Sequence, residues 1–160
     1  MNSDLTVRPV EEGEREWLAE VLRKAWGPTV VSRGRVIDPA VLPAVVCLRH
    51  DRPVGVATYD PGATDCELVT IDAFREHTGV GSALLSAVEE AARSLGCSRL
   101  WLITTNDNLD ALRFYQRRGM RIAALHAGAI EVSRALKPSI SMTGCYGIEI
   151  RDEIELEKSL

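Results

Sequence analysis

Residues 75–85 read Arg75-Glu76-His77-Thr78-Gly79-Val80-Gly81-Ser82-Ala83-Leu84-Leu85 and follow the apolar run Leu68-Val69-Thr70-Ile71. The run is typical of a strand, and the residues after the glycines have the apolar spacing of an amphipathic helix. Glycines in such a turn let the backbone approach a ligand, and the helix start presents unpaired N–H groups at its positive end. The stretch therefore predicts an anion site, with a diphosphate as the expected ligand.

The spacing excludes two well-known phosphate motifs. Leu84 occupies the position where a Rossmann fingerprint has its third glycine or alanine. A Walker A loop needs Gly-Lys-Ser/Thr, and the sequence contains no such triplet. Many α/β proteins turn from strand to helix through glycines, so the loop alone does not identify the diphosphate carrier.

A second block makes the interpretation specific: residues 108–120 read Asn108-Leu109-Asp110-Ala111-Leu112-Arg113-Phe114-Tyr115-Gln116-Arg117-Arg118-Gly119-Met120. This block resembles the Asn-x-x-Ala-x-x-Phe-Tyr-x-x-x-Gly-Phe signature of the GNAT superfamily of acetyl-coenzyme A dependent N-acetyltransferases. The glycine loop resembles that family's coenzyme-binding loop, Gln/Arg-x-x-Gly-x-Gly/Ala. The blocks stand in the family's order, and the resemblance covers roughly residues 5–126.

The sequence departs from the family's pattern at three positions. Glu76 stands where Gln or Arg is usual, His77 replaces a common glycine, and Met120 replaces the usual Phe. The methionine is a tolerable core exchange. Because a carboxylate facing a diphosphate is unfavourable, we expect Glu76 to point away from the ligand or Arg75 to compensate for its charge.

The periodicity along the chain matches the element order of this family. It predicts strands at 5–10, 45–48, 54–59, 66–71, 100–103, 121–125 and 147–157. It predicts helices at 14–26, from the glycine loop to Gly96, at 108–118 and at 129–136, with a short helix within 27–43. We expect one α/β (α+β) domain over residues 1–160. The resemblance implies a GNAT fold, whose central mixed, mostly antiparallel sheet splays between its fourth and fifth strands and carries helices on both faces.

Composition narrows the class of protein. An apolar content of 46% and a charged content of 26% are ordinary for a soluble globular domain. Without an 18-residue apolar run or a signal-peptide pattern, the sequence favours a cytoplasmic protein that does not bind membranes. The net charge of −4 argues against nucleic-acid binding and favours a cationic substrate.

The four cysteines are scattered, and we expect them to be reduced and structural. Cys47-x-x-His50 has no second ligand pair nearby, so no metal site is predicted. Cys66 has no partner base near it in sequence, which argues against a covalent nucleophile.

The resemblance assigns a set of residues to acetyl-CoA. Main-chain N–H groups of the glycine loop would hold the diphosphate, and the backbone near Ile71 would polarise the thioester carbonyl. Asn108 would bind the pantetheine arm, although its position before a helix equally suits an N-cap. The full set is Ile71, Asp72, Ala73, Thr78, Gly79, Val80, Gly81, Ser82 and Asn108.

Two residues are candidates for proton transfer. By resemblance, Tyr115 is the general acid that protonates the departing coenzyme thiolate; without the resemblance, a core aromatic is the simpler interpretation. Glu67 begins the strand beside the expected splay and could accept the amine's proton directly or through water. An ordinary acid at a strand end is the alternative for Glu67.

The acceptor site is less determined by the sequence. The segment after the first strand and the C-terminal segment supply the candidates Trp26, Arg33, His126, Arg134 and Asp152. Arg134 and Lys137 are three apart and would hold an acidic group on the substrate or lie in solvent. Asp152 falls on the apolar face of the predicted last strand, which indicates either a bulge or a carboxylate that binds a cationic amine.

The sequence thus predicts an N-acetyltransferase that moves an acetyl group from acetyl-CoA to a primary amine by direct transfer in a ternary complex. Its expected partners are acetyl-CoA and an amine acceptor, and a homodimer is left open. The alternatives are a non-catalytic acyl-CoA sensor or partner-binding module with the same fold, and an unrelated nucleotide-binding domain that takes ATP or NAD.

Overall fold

The computed structural model describes residues 4–75 and 78–160. The strands are β1 (Leu5–Pro9), β2 (Val30–Ser32), β3 (Arg35–Ile37), β4 (Ala44–Arg49), β5 (Arg52–Pro61), β6 (Asp65–Ala73), β7 (Arg99–Thr105), β8 (Arg121–His126) and β9 (Glu153–Ser159). The helices are α1 (Arg15–Trp26), α2 (Val80–Ser94), α3 (Leu109–Arg117) and α4 (Ala129–Leu136). Within the described ranges, no helix is long and apolar enough to cross a membrane.

Seven strands form one sheet in the order β1-β4-β5-β6-β7-β9-β8, and β2 pairs with β3 in a separate hairpin. Neighbours in the sheet are antiparallel except β6 and β7, which are parallel and pair only from Asp65–Arg99 to Glu67–Trp101. Beyond Glu67 the two strands part, while β7 stays paired with β9 along its whole length. The predicted splay is confirmed, since β6 and β7 are the sheet's fourth and fifth strands in sequence.

Alternate strand residues face two separate cores, one on each face of the sheet. On one face, Val45 and Ala57 pack with the α2 residues Leu84 and Val88. On the other face, the neighbouring strand residues pack with α1 in a smaller core, formed by Val10, Leu18, Leu22, Ala44, Val46 and Val56. Helices therefore cover both faces, as predicted.

The short helix predicted within 27–43 is confirmed only as a single 3-10 turn at Pro39–Val41. The segment instead forms the β2–β3 hairpin, in which Val30 pairs with Ile37 and Ser32 with Arg35. Its two-residue turn, Arg33-Gly34, has φ of 50° and 76°, the positive values that a tight hairpin turn requires. Strands of three residues are too short to show a period in the sequence.

The last strand also differs from the prediction, because β9 begins at Glu153 instead of residue 147. The preceding residues continue the apolar alternation but pair with the segment 142–144 instead of β7, through a bridge between Thr143 and Glu149 and a bond from Ile150 N to the Met142 carbonyl. Asn106 accepts hydrogen bonds from the backbone N–H groups of Arg151 and Asp152 through its Oδ1 and donates to the carbonyl of Glu149. This amide side chain therefore holds residues 149–152 beside the end of β7, where the regular ladder has not yet begun.

Gly55 gives a test of how closely α2 packs on the sheet. A Cβ at this position would lie 2.5 Å from Val80 Cγ1 and 2.7 Å from the carbonyl oxygen of Asp72. We expect Gly55→Ala to lower the free energy of unfolding by about 1–3 kcal/mol, the usual effect of overpacking. Urea denaturation measures this change. Gly13→Ala is the control, since nothing lies within 4 Å of its added Cβ, and equal stability of both variants would contradict the packing.

Candidate active site

A cleft of about 960 Å³ opens where β6 and β7 part. Its lining comes from the diverging ends of these strands, the start of α2, one side of α3, the β2–β3 hairpin and α4. The helices α2 and α3 lie on one face of the sheet, whereas the hairpin and α4 lie on the other. The cleft therefore passes through the sheet from one face to the other.

The glycine loop forms the end of the cleft at α2. Gly79 is the N-cap residue with φ 81°, and the first intrahelical bond runs from Ala83 N to the Gly79 carbonyl. The N–H groups of Val80, Gly81 and Ser82 consequently have no acceptor within the helix. Among the described residues, no side chain caps this helix start. These free donors at a positive helix end suit an anion.

Arginines surround the glycine loop, and of these the sequence patterns singled out Arg75 alone. Arg118 Nε donates to Ser82 Oγ at 2.6 Å, and its guanidinium carbon lies 3.8 Å from the centre of the Phe114 ring. Arg75 and Arg117 also line the cleft. Glu76 and His77, the departures from the family loop, lie outside the described residues. The described cations give this end the positive charge that a diphosphate needs.

The other residues predicted for the coenzyme divide between two positions. Ile71, Ala73 and Asn108 line the cleft. Asn108 is also the N-cap of α3, because its Oδ1 accepts from the N–H of Ala111 at 3.2 Å. Asp72 points instead toward α1, and its Oδ2 accepts from Trp26 Nε1 at 2.7 Å. Its side chain therefore serves the packing of α1.

Tyr115 lies in the core on the α2 face, with 7% of its surface exposed, and also lines the cleft. Burial raises the pKa of its phenol, and the nearby Asp72 carboxylate adds to that effect. The Phe114 ring packs against it edge-on at 5.2 Å between centroids. Within residues 4–75 and 78–160 the hydroxyl has no hydrogen-bond partner, so it is available to a ligand.

Glu67 lies on the hairpin face and is 3% exposed. Ser32 Oγ donates to Oε1 at 2.5 Å, and Arg35 Nη2 donates to Oε2 at 2.6 Å. Burial raises the pKa of the Glu67 carboxyl, and the hydrogen bonds from Ser32 and Arg35 partly offset this. The carboxylate is thus a buried acid beside the cleft with a raised affinity for protons.

Glu153 is a second buried carboxylate on this face, and the sequence patterns missed it. It is 2% exposed and lines the cleft. Its Oε1 accepts from Ser133 Oγ at 2.9 Å, and its Oε2 accepts from the Arg33 N–H at 3.1 Å. The sequence feature that could have revealed this residue is the alternation of Glu153, Glu155 and Glu157 with Ile154 and Leu156. This alternation places the acids of β9 on one face of the strand.

Comparison with known proteins identifies the arrangement. Residues 7–120 match the Acetyltransferase (GNAT) family. The chain belongs to the GNAT acetyltransferase family. The uncharacterized protein YdhI of Bacillus subtilis (strain 168) is 36% identical over 156 residues, which cover 96% of this acetyltransferase and 98% of YdhI.

Solved structures show the same fold. A GNAT family acetyltransferase from Elizabethkingia anophelis with acetyl-CoA bound has a TM-score of 0.74 at 18% identity, covering 99% of this chain and 100% of that one. A Bacillus subtilis acetyltransferase in complex with CoA has a TM-score of 0.71 at 20% identity, covering 98% and 99%.

Of the acceptor residues predicted for this GNAT acetyltransferase, only Trp26 lines the cleft. The Arg33 guanidinium and His126 Nε2 both contact Glu155 on β9, at 3.4 and 3.2 Å, outside the cleft. Arg134 donates to the carbonyls of Ile140, Ser141 and Ile150 and so organises the segment after α4.

Asp152 and Lys137 also have structural partners. Asp152 precedes β9, and its Oδ1 accepts from the N–H of Gly128, the N-cap residue of α4. This carboxylate lies neither at a bulge in β9 nor in the lining of the cleft. The acid that lines the cleft is the next residue, Glu153. Lys137 lines the cleft, but its ammonium donates to the carbonyls of Trp26 and Thr29.

Cys66 supports the expectation of a structural thiol. It is fully buried, and burial raises its pKa to about 12. A thiol with this pKa is almost entirely protonated at neutral pH and is a poor nucleophile.

Tyr115→Phe tests whether the phenol hydroxyl is free of a structural role. Because the hydroxyl has no partner among the described residues, we expect the free energy of unfolding to change by less than about 0.5 kcal/mol. The control is Thr58→Val, which breaks the 2.7 Å bond between the buried Thr58 and Thr70 hydroxyls and should cost about 1–3 kcal/mol. Chemical denaturation measures both, and a large loss in Tyr115→Phe would show a structural bond to this hydroxyl.

Proposed function

We propose that this GNAT acetyltransferase moves the acetyl group of acetyl-CoA to a primary amine by direct transfer in a ternary complex. One observation carries the proposal: a single cleft through the sheet joins the glycine loop, the Tyr115 hydroxyl and the Glu67 carboxylate. An anion site, an acid and a base thus open onto one space, which is what acyl transfer from a diphosphate-bearing thioester requires.

The residues present fit acetyl-CoA. The free N–H groups at the start of α2 would hold the diphosphate, and Arg75 and Arg118 would balance its charge. Past Glu67, the edge of β6 has no pairing to β7, so its backbone groups are available to the amides of the pantetheine arm. Bound acetyl-CoA would supply the activated thioester, and Asn108 at the cleft wall would orient the arm.

Tyr115 suits the role of general acid. The phenol is protonated at neutral pH, and its burial excludes water that would compete for the proton. Burial also raises its pKa and so weakens it as an acid, which makes a close approach of the coenzyme thiolate necessary for the transfer. A coenzyme thiolate, whose thiol has a pKa near ~8.5, is basic enough to receive a proton from a phenol that is held close. The unpartnered hydroxyl supports this role, since no described hydrogen bond has to break first.

Glu67 suits the role of general base for the amine. Its raised pKa increases its affinity for a proton, and the Ser32 hydroxyl, which donates to it and also lines the cleft, offers a route for that proton. In this proposal the amine gives its proton to Ser32 while Ser32 passes its own to Glu67, or Glu67 takes the proton directly. No covalent enzyme intermediate is needed.

One observation favours the alternative of a non-catalytic acyl-CoA sensor. Both Glu67 oxygens already accept short hydrogen bonds from the hairpin, through Ser32 and Arg35. A carboxylate in this position would act only as a tether for β2–β3 if it never exchanged a proton with a substrate. The two experiments below separate these roles.

We expect the enzyme to act in the cytoplasm. All four cysteines are free, and three of them, Cys47, Cys66 and Cys97, are buried. Reduced thiols of this kind are typical of proteins in a reducing compartment.

The first test combines calorimetric titration with steady-state kinetics on a panel of amines. We expect the wild type to bind acetyl-CoA, with ATP and NAD as negative controls, and to release CoA when an amine is present. Tyr115→Phe should keep the Kd for acetyl-CoA and lower kcat by about 10²-fold or more, as loss of a general acid does. Binding without any turnover across the panel would support the sensor.

The second test is the pH profile of kcat/KM in the wild type and in Glu67→Gln. When Glu67 is ionised it can take the proton from a bound ammonium, so kcat/KM should be level with pH. It should fall as the pH drops through the pKa of Glu67, which lies above the ordinary 4.5. The Glu67→Gln variant has no base to deprotonate a bound ammonium and can use only amine that is already deprotonated in solution. Its kcat/KM should therefore rise tenfold per pH unit with no plateau.

Asp60→Asn is the matched control for this profile. Asp60 lies 3.8 Å from the same Arg35 guanidinium but is partly exposed and lies outside the main cleft. Because the Asp60 charge raises the pKa of Glu67, its loss should keep the plateau and move the fall in kcat/KM to lower pH. If Glu67→Gln also keeps the wild-type plateau, Glu67 is not the base.

A further inference from the structure

Charges are sorted between the two ends of the cleft. Arg75, Arg117 and Arg118 stand with the glycine loop, whereas Glu67 and Glu153 stand at the hairpin. On β6, Glu67 alternates with Cys66 and Leu68, which face the α2 core. On β9, Glu153 alternates with Ile154 and Leu156, which also contact that core. Both carboxylates therefore lie on the face opposite α2, where an acceptor would meet the acetyl group.

The negative charge of Glu153 is not balanced within the described residues. Glu67 forms an ion pair with Arg35, but the donors to Glu153 are neutral, namely Ser133 Oγ and the backbone N–H of Arg33. A carboxylate offers about four lone-pair positions, so each oxygen can accept a further hydrogen bond. A buried charge is costly without a counter-ion, and an ammonium in the cleft would supply one.

The surroundings of Glu153 select against an anionic substrate. The cleft on this face is lined by the apolar side chains Val30, Val31, Ile130, Ile140 and Ile150. Lys137 is the cation that lines this end in the described chain, and its ammonium is already bound to two carbonyls. A carboxylate on the substrate would therefore meet two like charges and no available cation.

A second observation shows that the cleft is open to a ligand at this depth. The Tyr115 side chain is only 7% exposed and lines the same cleft, and its hydroxyl has no hydrogen-bond partner among the described residues. The space thus has an unpartnered donor on one side and an unbalanced carboxylate on the other.

From these observations we propose that Glu153 binds the ammonium of the acceptor, and that the acceptor is a primary amine with an apolar body and no carboxylate. This inference rests on the proposed acetyltransferase activity and narrows its substrate class. Amino acids with a free α-carboxylate are excluded, whereas the amines that correspond to their decarboxylation are accepted.

The test uses matched pairs of amines and amino acids that differ only by the α-carboxylate: pentylamine and norleucine, 2-phenylethylamine and phenylalanine, cadaverine and lysine. CoA release measures kcat/KM for each. We expect the amine of a pair to exceed its amino acid by at least about 10²-fold, and phenylalaninamide to lie near 2-phenylethylamine because it carries no negative charge. An amino acid that matches or exceeds its amine overturns the inference and leaves the acetyltransferase proposal standing.

A failure of the acetyltransferase proposal itself gives a different pattern of results in this assay. If acetyl-CoA binds but no member of the panel is acetylated, the acetyltransferase proposal fails and this inference fails with it. If amines are acetylated without regard to the carboxylate, only the inference fails.

The Glu153→Gln variant tests whether Glu153 is the residue that gives the preference for amines over amino acids. Glutamine can still accept from Ser133 or Arg33 but has no charge, so KM for the amine should rise at least about tenfold while the Kd for acetyl-CoA is unchanged. The control is Glu155→Gln, a substitution on the same strand and face. Glu155 is 6% exposed, is bonded to Arg99 and His126, and does not line the cleft. Equal changes in KM for both variants, or unchanged selectivity in Glu153→Gln, would overturn the assignment.

A second variant keeps the inference testable if Glu153→Gln does not fold. Ile140→Arg adds a cation to the cleft wall at a partly exposed position without removing a buried hydrogen bond. It should raise kcat/KM for the amino acids and lower it for the amines. A variant that folds, as judged by acetyl-CoA binding, and keeps the wild-type preference would contradict the proposal.

Discussion

The candidate site depends on the shortness of one parallel ladder. β6 and β7 pair with each other over three residues. On its other side, β6 pairs along its length with β5, and β7 pairs along its length with β9. A bulge places Val69 as an extra residue on β6 between Leu68 and Thr70, just past the last pair with β7. A bulge increases the local twist of a strand, which turns β6 away from its neighbour. The cleft is thus a product of strand pairing and would close if the ladder continued.

The hairpin β2–β3 depends on the same opening. It is not part of the main sheet, and its hydrogen bonds include those to two buried acids that line the cleft and belong to strands from the two halves of that sheet. Ser32 and Arg35 bind Glu67 on β6, and the Arg33 N–H binds Glu153 on β9. Consecutive hairpin residues therefore bridge the gap that the strands leave. The buried carboxylates hold the hairpin in place and also give the cleft its negative end.

Local patterns predicted most of the elements. The helices α1, α2, α3 and α4 follow from apolar spacing and glycine stops, and the signature around Tyr115 pointed to the family. Residues 30–37 were missed because three-residue strands show no period, and the start of β9 was missed because the residues before it continue the apolar alternation while pairing with 142–144 and Asn106. The free N–H groups at the start of α2 were predictable because they come from contiguous residues of the glycine loop.

The acceptor side could not be predicted in the same way. Arg33 meets Glu153 across 120 positions and Lys137 meets Trp26 across 111, so these contacts exist only once the chain is folded. Asp152 and Arg134 were plausible as isolated charges, but each is used by a neighbouring turn or helix end. A pattern can place an acid on a strand face, yet only tertiary contacts decide which acid opens onto the cleft.

The position of β9 has a consequence for how the protein is made. β9 lies between β7 and β8 in the sheet but follows both in the sequence, and β8 pairs with no other strand of the described chain. On the ribosome, β1 and β4–β6 can pair in order of synthesis because each new strand lies beside one already released. The other half must wait for β9, which carries Glu153 and joins β8 to the sheet. A nascent chain that has released β8 but not β9 therefore has its glycine loop without Glu153, so the hairpin end of the cleft is completed only when β9 has left the ribosome.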